Sequence, residues 1–283
     1  MAIVLKGKEV ADKIKEEMSL SIQRLKNDGR TPVLAIVRLG ENAGDISYEK
    51  SIIKACSAAG IESRVVERET SMTTDELQNL MIELNEDDKV SGILLFRPLP
   101  KHIDEEIIRN SISPLKDVDC MHPLNLERIF EGRMDGFAPC TPKAAMEILI
   151  HNQVPLEGRN VVVVNRSMVV GKPLVMMLLE KNATVTICHS RTKNLKELAS
   201  KADVVVTALG KAKFFTEDYF SEAAVVIDVG VSMTDDGKLS GDVDYENVEQ
   251  KVAMVTPVPG GVGSVTTTIL LNQVVLAELN KIK

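Results

Sequence analysis

Short runs rich in β-branched residues alternate with stretches of helical spacing along this chain, and that alternation limits the fold more than any other feature. Residues 33–40 (VLAIVRLG), 63–69 (SRVVERE) and 92–96 (GILLF) read as strands. Between them, 46–59 reads as a helix stopped by Gly60, and 74–85 as a helix opened by Thr73 or Thr74. A helix over 9–27 precedes them, with Val10, Ile14, Met18, Ile22 and Leu25 at helical spacing, and ends at Asn27-Asp28-Gly29. Parallel strands need a long crossover, usually a helix, so this order predicts a parallel sheet.

A second set follows a helix at 142–152. Strands are expected at 160–165 (NVVVVN), 183–189, 203–209, 223–230 and 253–257, with helices at 171–181 and 195–201. This is the grammar of a nucleotide-binding, doubly wound sheet. A last helix, 266–281, comes after the set and is expected to return to the first domain. The fold class is therefore α/β in two domains, the C-terminal one a Rossmann-type doubly wound parallel sheet. Residues 1–139 with 264–283 form the first domain and 140–263 the second. The Pro- and Gly-rich stretch near 120–140 is the expected hinge, and a cleft between the domains the expected ligand site.

The net charge of −7 over 283 residues excludes a general nucleic-acid-binding face. It still permits a local site for a small anion. Cys56, Cys120, Cys140 and Cys188 lie far apart with no C-x-x-C pair, and the four histidines are equally scattered. Neither a disulfide framework nor a metal site is expected, and a reducing cytoplasm fits. The N-terminal MAIVLKGKEV is too short and too charged for a signal peptide. No apolar run is expected to reach the roughly 20 residues that cross a membrane.

The turn after strand 160–165 reads Asn165-Arg166-Ser167-Met168-Val169-Val170-Gly171-Lys172-Pro173. It is not G-x-G-x-x-G, since Gly171 is its one glycine. It keeps the context of a dinucleotide site: a strand, a tight turn and a helix start whose N–H groups attract phosphate. A plain strand–helix connection is the alternative. NAD sites usually carry an acid about 20 positions on, at the ribose. Here the next strand ends in His189-Ser190-Arg191-Thr192, with no acid. A 2′-phosphate suits Ser190, Arg191 and Arg166, so NADP is favoured over NAD. The alternative is that Arg191 and Lys193 form a solvated turn. His189 reads as a satisfied strand-end residue.

Eight stretches, in order, carry a family resemblance: RPLPKHI (97–103), KDVDCMHP (116–123), PCTP (139–142), RSMVVGKP (166–173), TVTICHSRT (184–192), VIDVGV (226–231), GDVD (241–244) and TPVPGGVG (256–263). Together they resemble the methylenetetrahydrofolate dehydrogenase/cyclohydrolase family over nearly the whole chain. The resemblance implies a folate-side domain, a Rossmann domain and a homodimer. It implies that Arg166, Ser167, Ser190 and Val231 line the cofactor, beside Asn165, Gly171 and Arg191 of the two turns. It implies that Tyr48 stacks on the folate and that Asp119 accepts hydrogen bonds from the pterin ring. Pro259-Gly260-Gly261 would bring backbone close to the substrate.

Two positions depart from the family pattern. Its Y-x-x-x-K reads Tyr48-Glu49-Lys50-Ser51-Ile52, and its Q-L-P-L-P reads Phe96-Arg97-Pro98-Leu99-Pro100. On a helix, position 52 lies about 40° from Tyr48, whereas Lys50 and Lys54 point away. A Lys–Gln pair is thus replaced by Ile52 and Phe96, both at the expected substrate surface. Asp45 also falls on the Tyr48 face. Either it meets Arg97, or it caps the helix while Arg97 is solvated.

Hydride transfer asks the protein mainly for position, whereas adding water to the methenyl bridge asks for a placed acid and base. The expected function is NADP-dependent methylenetetrahydrofolate dehydrogenase with weak or absent cyclohydrolase. The rivals are a fully bifunctional enzyme with a substitute group, a non-catalytic folate- or nucleotide-binding paralogue, and an oxidoreductase for another substrate.

Overall fold

The computed structural model describes residues 1–133, 135–234 and 237–282. The chain opens with β1 (Ile3–Val4), α1 (Gly7–Asn27), β2 (Val33–Leu39), α2 (Ala43–Ala59), β3 (Glu62–Arg68), α3 (Thr74–Glu86) and β4 (Gly92–Leu95). Three helices follow: α4 (Glu105–Ser111), α5 (Pro123–Phe130) and α6 (Cys140–His151). Then come β5 (Asn160–Val164), α7 (Gly171–Leu179), β6 (Thr184–Cys188), α8 (Leu195–Ser200), β7 (Val204–Thr207) and β8 (Val225–Asp228). A short hairpin, β9 (Ser232–Met233) and β10 (Leu239–Ser240), leads to α9 (Tyr245–Val248), β11 (Met254–Val255) and α10 (Val262–Asn280).

The chain divides into two compact units. One holds a three-stranded parallel sheet in the order β3-β2-β4. Its helices form for the reasons the sequence suggests. Gly60 ends α2 at φ 78°, where glycine avoids the Cβ clash of the left-handed region. Thr73 caps α3 in a full capping box with Glu76. α3 buries Leu77, Leu80, Met81 and Leu84 against Val37, Ile93 and Leu95 of the sheet. Each such side chain contributes roughly 1.5–3 kcal/mol on burial.

The other unit holds a six-stranded parallel sheet in the order β1-β11-β8-β7-β5-β6. The order reverses between β5 and β7, because β6 lies on one side of β5 and the later strands on the other. Ligands of doubly wound sheets bind outside the strand ends at such a point. Val162, Val164, Val205 and Val226 are core residues here, packed with Phe215 and Phe220.

The partition differs from the expected one at both ends. β1 pairs with β11, so Met1–Asp12 belongs to the six-stranded unit, as does Ile129–Gly132. α10 starts in that unit and continues from Thr267 in the three-stranded one. The stretch 120–140, read as a hinge, contains α5. Pro123 starts this helix, and His122 Nδ1 accepts from the N–H of Leu124. Met134 of that stretch lies outside the described residues.

Candidate functional site

In the three-stranded unit, α2 carries Tyr48 to the surface, where it is 43% exposed. Its ring lies 5.6 Å from that of Phe96, tilted by 32°. Phe96 follows β4, and its N–H donates to Val37 O at 2.9 Å, which anchors the residue. Ile52 is fully buried one turn after Tyr48, so it offers no open surface to a ligand. Both apolar replacements are thus buried, and Tyr48 is the accessible member of the three.

Neither reading of Asp45 holds. Asn42 is the cap of α2, and its side-chain oxygen accepts from the N–H groups of Gly44 and Asp45. Arg97 turns instead to Asp119, with Nη2 3.1 Å from Oδ2, while Nη1 lies 3.9 Å from Glu105. Arg97 and Asp119 are each about a quarter exposed.

The residues around Asp119 explain its placement. Lys116 donates to the carbonyls of Leu84, Asn85 and Asp87, which closes the end of α3. Burial lowers the pKa of this ammonium. Asp117 is buried and accepts from the N–H groups of Met121 and His122 and from Asn125 Nδ2, each at 2.8 Å. Burial pushes its carboxyl up to about 6 against the pull of those donors. Gln273 of α10 donates to the carbonyls of Val118 and Ala138 and accepts from Ala138 N–H. Asp119 therefore sits on a loop tied down on both sides.

The sequence reading missed a second buried polar group here. Arg38 of β2 donates to Glu49 of α2 at 2.8 Å, to Glu67 of β3 at 2.6 Å, and to the carbonyl of Gly40. Its hydrogen bond to Glu49 is the main cause raising its pKa. The signal was available: one arginine inside VLAIVRLG requires a partner once the strand is buried.

In the six-stranded unit, the register pairs Val164 with Cys188, so the turns after β5 and β6 leave adjacent strand ends. Asn165 organises the first turn. Its Oδ1 accepts from Ser167 N–H and Oγ–H and from Gly171 N–H, and its Nδ2 donates to Ala208 O across the β5–β7 switch. Ser167 Oγ accepts from Val170 N–H, and Ser167 O from Lys172 N–H. The N–H groups of Val170, Gly171 and Lys172 at the start of α7 are thus engaged by the turn itself. Gly171 is required because a Cβ there would stand 2.1 Å from Asn165 O. Arg166, Ser167, Ser190 and Arg191 are exposed. The second turn is closed by His189, whose N–H donates to Thr192 Oγ1 and whose Nδ1 accepts from Arg191 N–H. No acidic side chain occurs from His189 to Lys193.

Val231 lies past β8 and is 55% exposed. The ends of β7 and β8 are shaped by two buried carboxylates absent from the expected site. Asp228 accepts from Thr207 Oγ1 and from the N–H groups of Gly230, Asp242 and Val243. Burial pushes its carboxyl up to about 6. Asp242 accepts from the N–H groups of Leu209 and Lys211. A Cβ at Gly230 would meet Asp242 Cγ at 2.1 Å, and one at Gly241 would meet Asp228 Oδ2 at 2.0 Å. The motifs VIDVGV and GDVD are two halves of one packed knot. Next to it, a cavity of 420 Å³ opens among Lys213, Lys238, Ser240, Tyr245 and Val258.

Pro259 and Gly260 are exposed, and Gly260 has φ 105°. Gly260 O accepts from Gly7 N–H at 2.8 Å. A Cβ on Gly7 would stand 2.1 Å from Gly261 O, and one on Gly261 2.5 Å from Pro257 O. These glycines let the chain's own backbone segments approach one another closely. Among the described residues, no group of three or more His, Cys, Asp or Glu is placed to hold a metal.

A parallel sheet with a switch point, cationic and hydroxyl side chains at adjacent strand ends, and a second α/β unit bearing a tyrosine and a carboxylate define a two-domain, dinucleotide-binding class of α/β protein. Two family signatures cover most of the chain. The Tetrahydrofolate dehydrogenase/cyclohydrolase catalytic domain matches residues 5–119, and the NAD(P)-binding domain of the same family matches 139–282. The chain belongs to the tetrahydrofolate dehydrogenase/cyclohydrolase family. It is 56% identical over 281 residues to the Bifunctional protein FolD of Clostridium botulinum, covering 99% of this chain and 100% of that one. Among solved structures it resembles the bifunctional FolD methylenetetrahydrofolate dehydrogenase/cyclohydrolase of Campylobacter jejuni, at 40% identity and a TM-score of 0.97 over 99% and 100% of the chains. It also resembles the Trypanosoma brucei methylenetetrahydrofolate dehydrogenase-cyclohydrolase complexed with NADP and an inhibitor, at 31% identity and a TM-score of 0.94 over 100% and 99% of the chains.

Proposed function

We propose that this chain is an NADP-dependent methylenetetrahydrofolate dehydrogenase whose cyclohydrolase activity is weak or absent. The observation that carries the reading is the site around Tyr48. Tyr48 and Asp119 are present, but the position of the family lysine is a fully buried isoleucine, and that of its glutamine partner a buried phenylalanine. When bound, the nicotinamide cofactor accepts a hydride. The protein then has to bind and orient the folate, with Tyr48 against its rings and Asp119 accepting from ring N–H groups. Hydrolysis of the methenyl product needs a group that takes a proton from water, and neither Ile52 nor Phe96 holds one.

The cofactor side rests on side chains. Asn165, Ser167 and Gly171 form a rigid turn, and Arg166, Ser190 and Arg191 offer the donors for phosphate. Val231 supplies an apolar surface, and Pro259, Gly260 and Gly261 shape the folate side. Replacing Arg191 with Ala should weaken NADP at least tenfold, in line with the loss of a charge-assisted hydrogen bond, while leaving NAD nearly unchanged. Equal effects on both cofactors, read by equilibrium titration, would sink the 2′-phosphate assignment. A cytoplasmic homodimer belongs to the same reading.

A second reading is favoured by the names of the relatives: full bifunctionality, with another group taking the lysine's place. Side-by-side assays separate the two. The first predicts NADP reduction with methylenetetrahydrofolate and little acceleration of methenyl hydrolysis. Comparable catalysis of both half-reactions by the purified chain would establish the second.

A further inference from the structure

We propose that Arg97 is a positioning residue: its guanidinium fixes the Asp119 carboxylate in the orientation from which that group meets the ring N–H donors of the folate substrate. The inference rests on the folate reading above and adds a residue outside the family pattern, which has leucine in this place. Three observations carry it. The pair is close, with Arg97 Nη2 3.1 Å from Asp119 Oδ2, and each side chain is about three-quarters buried. Both ends are anchored. Arg97 follows Phe96, which is tied to β2 through Val37, and Asp119 lies between the bonds made by Asp117 and Gln273. The residue before Arg97, Phe96, is itself held against the Tyr48 ring, with centroids 5.6 Å apart.

An exposed ion pair contributes little, because solvent screens it and two mobile side chains must be ordered. A pair three-quarters buried on fixed backbone loses much less. A carboxylate has about four lone-pair sites, so one bond to guanidinium leaves it able to accept others. The guanidinium is always charged and gives up no proton, so it adds orientation and charge but no acid–base step. Arg97 therefore acts on folate binding and leaves proton transfer alone. Glu105, 3.9 Å from the other arm and more than half exposed, is a weak competitor.

The test is equilibrium titration of tetrahydrofolate and, separately, of NADP onto the full chain and its Arg97→Leu, Arg97→Lys, Asp119→Asn and Arg97→Leu/Asp119→Asn variants. Arg97→Leu should weaken tetrahydrofolate about tenfold, the scale of one charge-assisted hydrogen bond, with NADP affinity unchanged. Arg97→Lys should recover part of the loss. In the Asp119→Asn background, Arg97→Leu should add little, since the pair acts as a unit. Unchanged tetrahydrofolate affinity, equal weakening of both ligands, or additive losses in the double variant would each overturn the proposal. Should Arg97→Leu not fold, Arg97→Gln carries the same expectations. A wild-type chain that binds no tetrahydrofolate overturns the folate reading itself, and a chain that binds it without turnover of methylenetetrahydrofolate overturns only the proposed reaction.

Discussion

Tyr48, Ile52 and Phe96 show how far residue types alone carry chemistry. The helical wheel put Ile52 on the Tyr48 face, at the expected substrate surface, whereas the structure buries it completely. Ile52→Lys by itself would place an ammonium at a fully buried position, at a cost on the order of 3 kcal/mol if unpaired. A lower urea midpoint is the expected result. Adding Phe96→Gln supplies an amide partner, so the double variant should regain part of that stability and hydrolyse methenyltetrahydrofolate faster than wild type. A folded double variant with no gain would count against the lysine argument. The partner of Arg97 was not legible in the sequence. It depends on the path of the 96–100 and 116–122 loops, which brings Arg97 to a residue 22 positions away. Asp45 was misjudged for a local reason, since Asn42 three positions earlier takes the cap.

At the scale of elements, long periodic segments were legible, because their spacing and caps are local. The helix expected over 74–85 is Thr74–Glu86, capped by Thr73, one of the two openers the sequence offered. The two-residue strands β1, β9, β10 and β11 are a different matter. Such segments carry too little pattern to announce themselves; only β11 fell inside an expected strand, and β1 exists because β11, some 250 positions on, provides its hydrogen bonds. α4 was missed in an acidic stretch, although Asp104 caps it. α10 is held by a polar group that sequence reading passed over. Its Gln273 is wholly buried and serves three backbone groups of Val118 and Ala138. Gln273→Leu keeps the volume but leaves those groups without their partner, so stability should fall by on the order of 3 kcal/mol. A change below about 1 kcal/mol in chemical denaturation, within the range of a neutral surface substitution, would show that water replaces the amide.

At the scale of the whole molecule, α10 is the one described helix long and apolar enough to cross a membrane by length and composition, though such a run was not expected. It is mostly buried in the fold and carries buried Gln273 and Glu278, the latter bonded to Ser91 and Arg30. Buried charge also sets the acid response. The carboxyls of Asp117 and Asp228 are pushed from 3.8 to about 6 by burial, so the folded chain holds their protons more tightly than the unfolded one. Their contribution to stability is fully present below pH 3.8 and is lost as pH rises through about 6. Each should lower stability by up to about 1.4 kcal/mol per pH unit across that window. In urea unfolding, the stability of wild type relative to Asp117→Asn should therefore fall from pH 4 toward pH 6; a constant difference would contradict the assignment. By itself the sequence determined the α/β class, the main helices and strands, and the family, because these follow from short-range periodicity and ordered motifs. Only the tertiary structure decided that Arg97 pairs with Asp119, that Asn165 accepts from the N–H of Gly171 at the start of α7, and that Asp228 and Asp242 knot two motifs together. Those depend on which loops meet in space, and a buried polar group takes whatever partner the fold brings within hydrogen-bond reach.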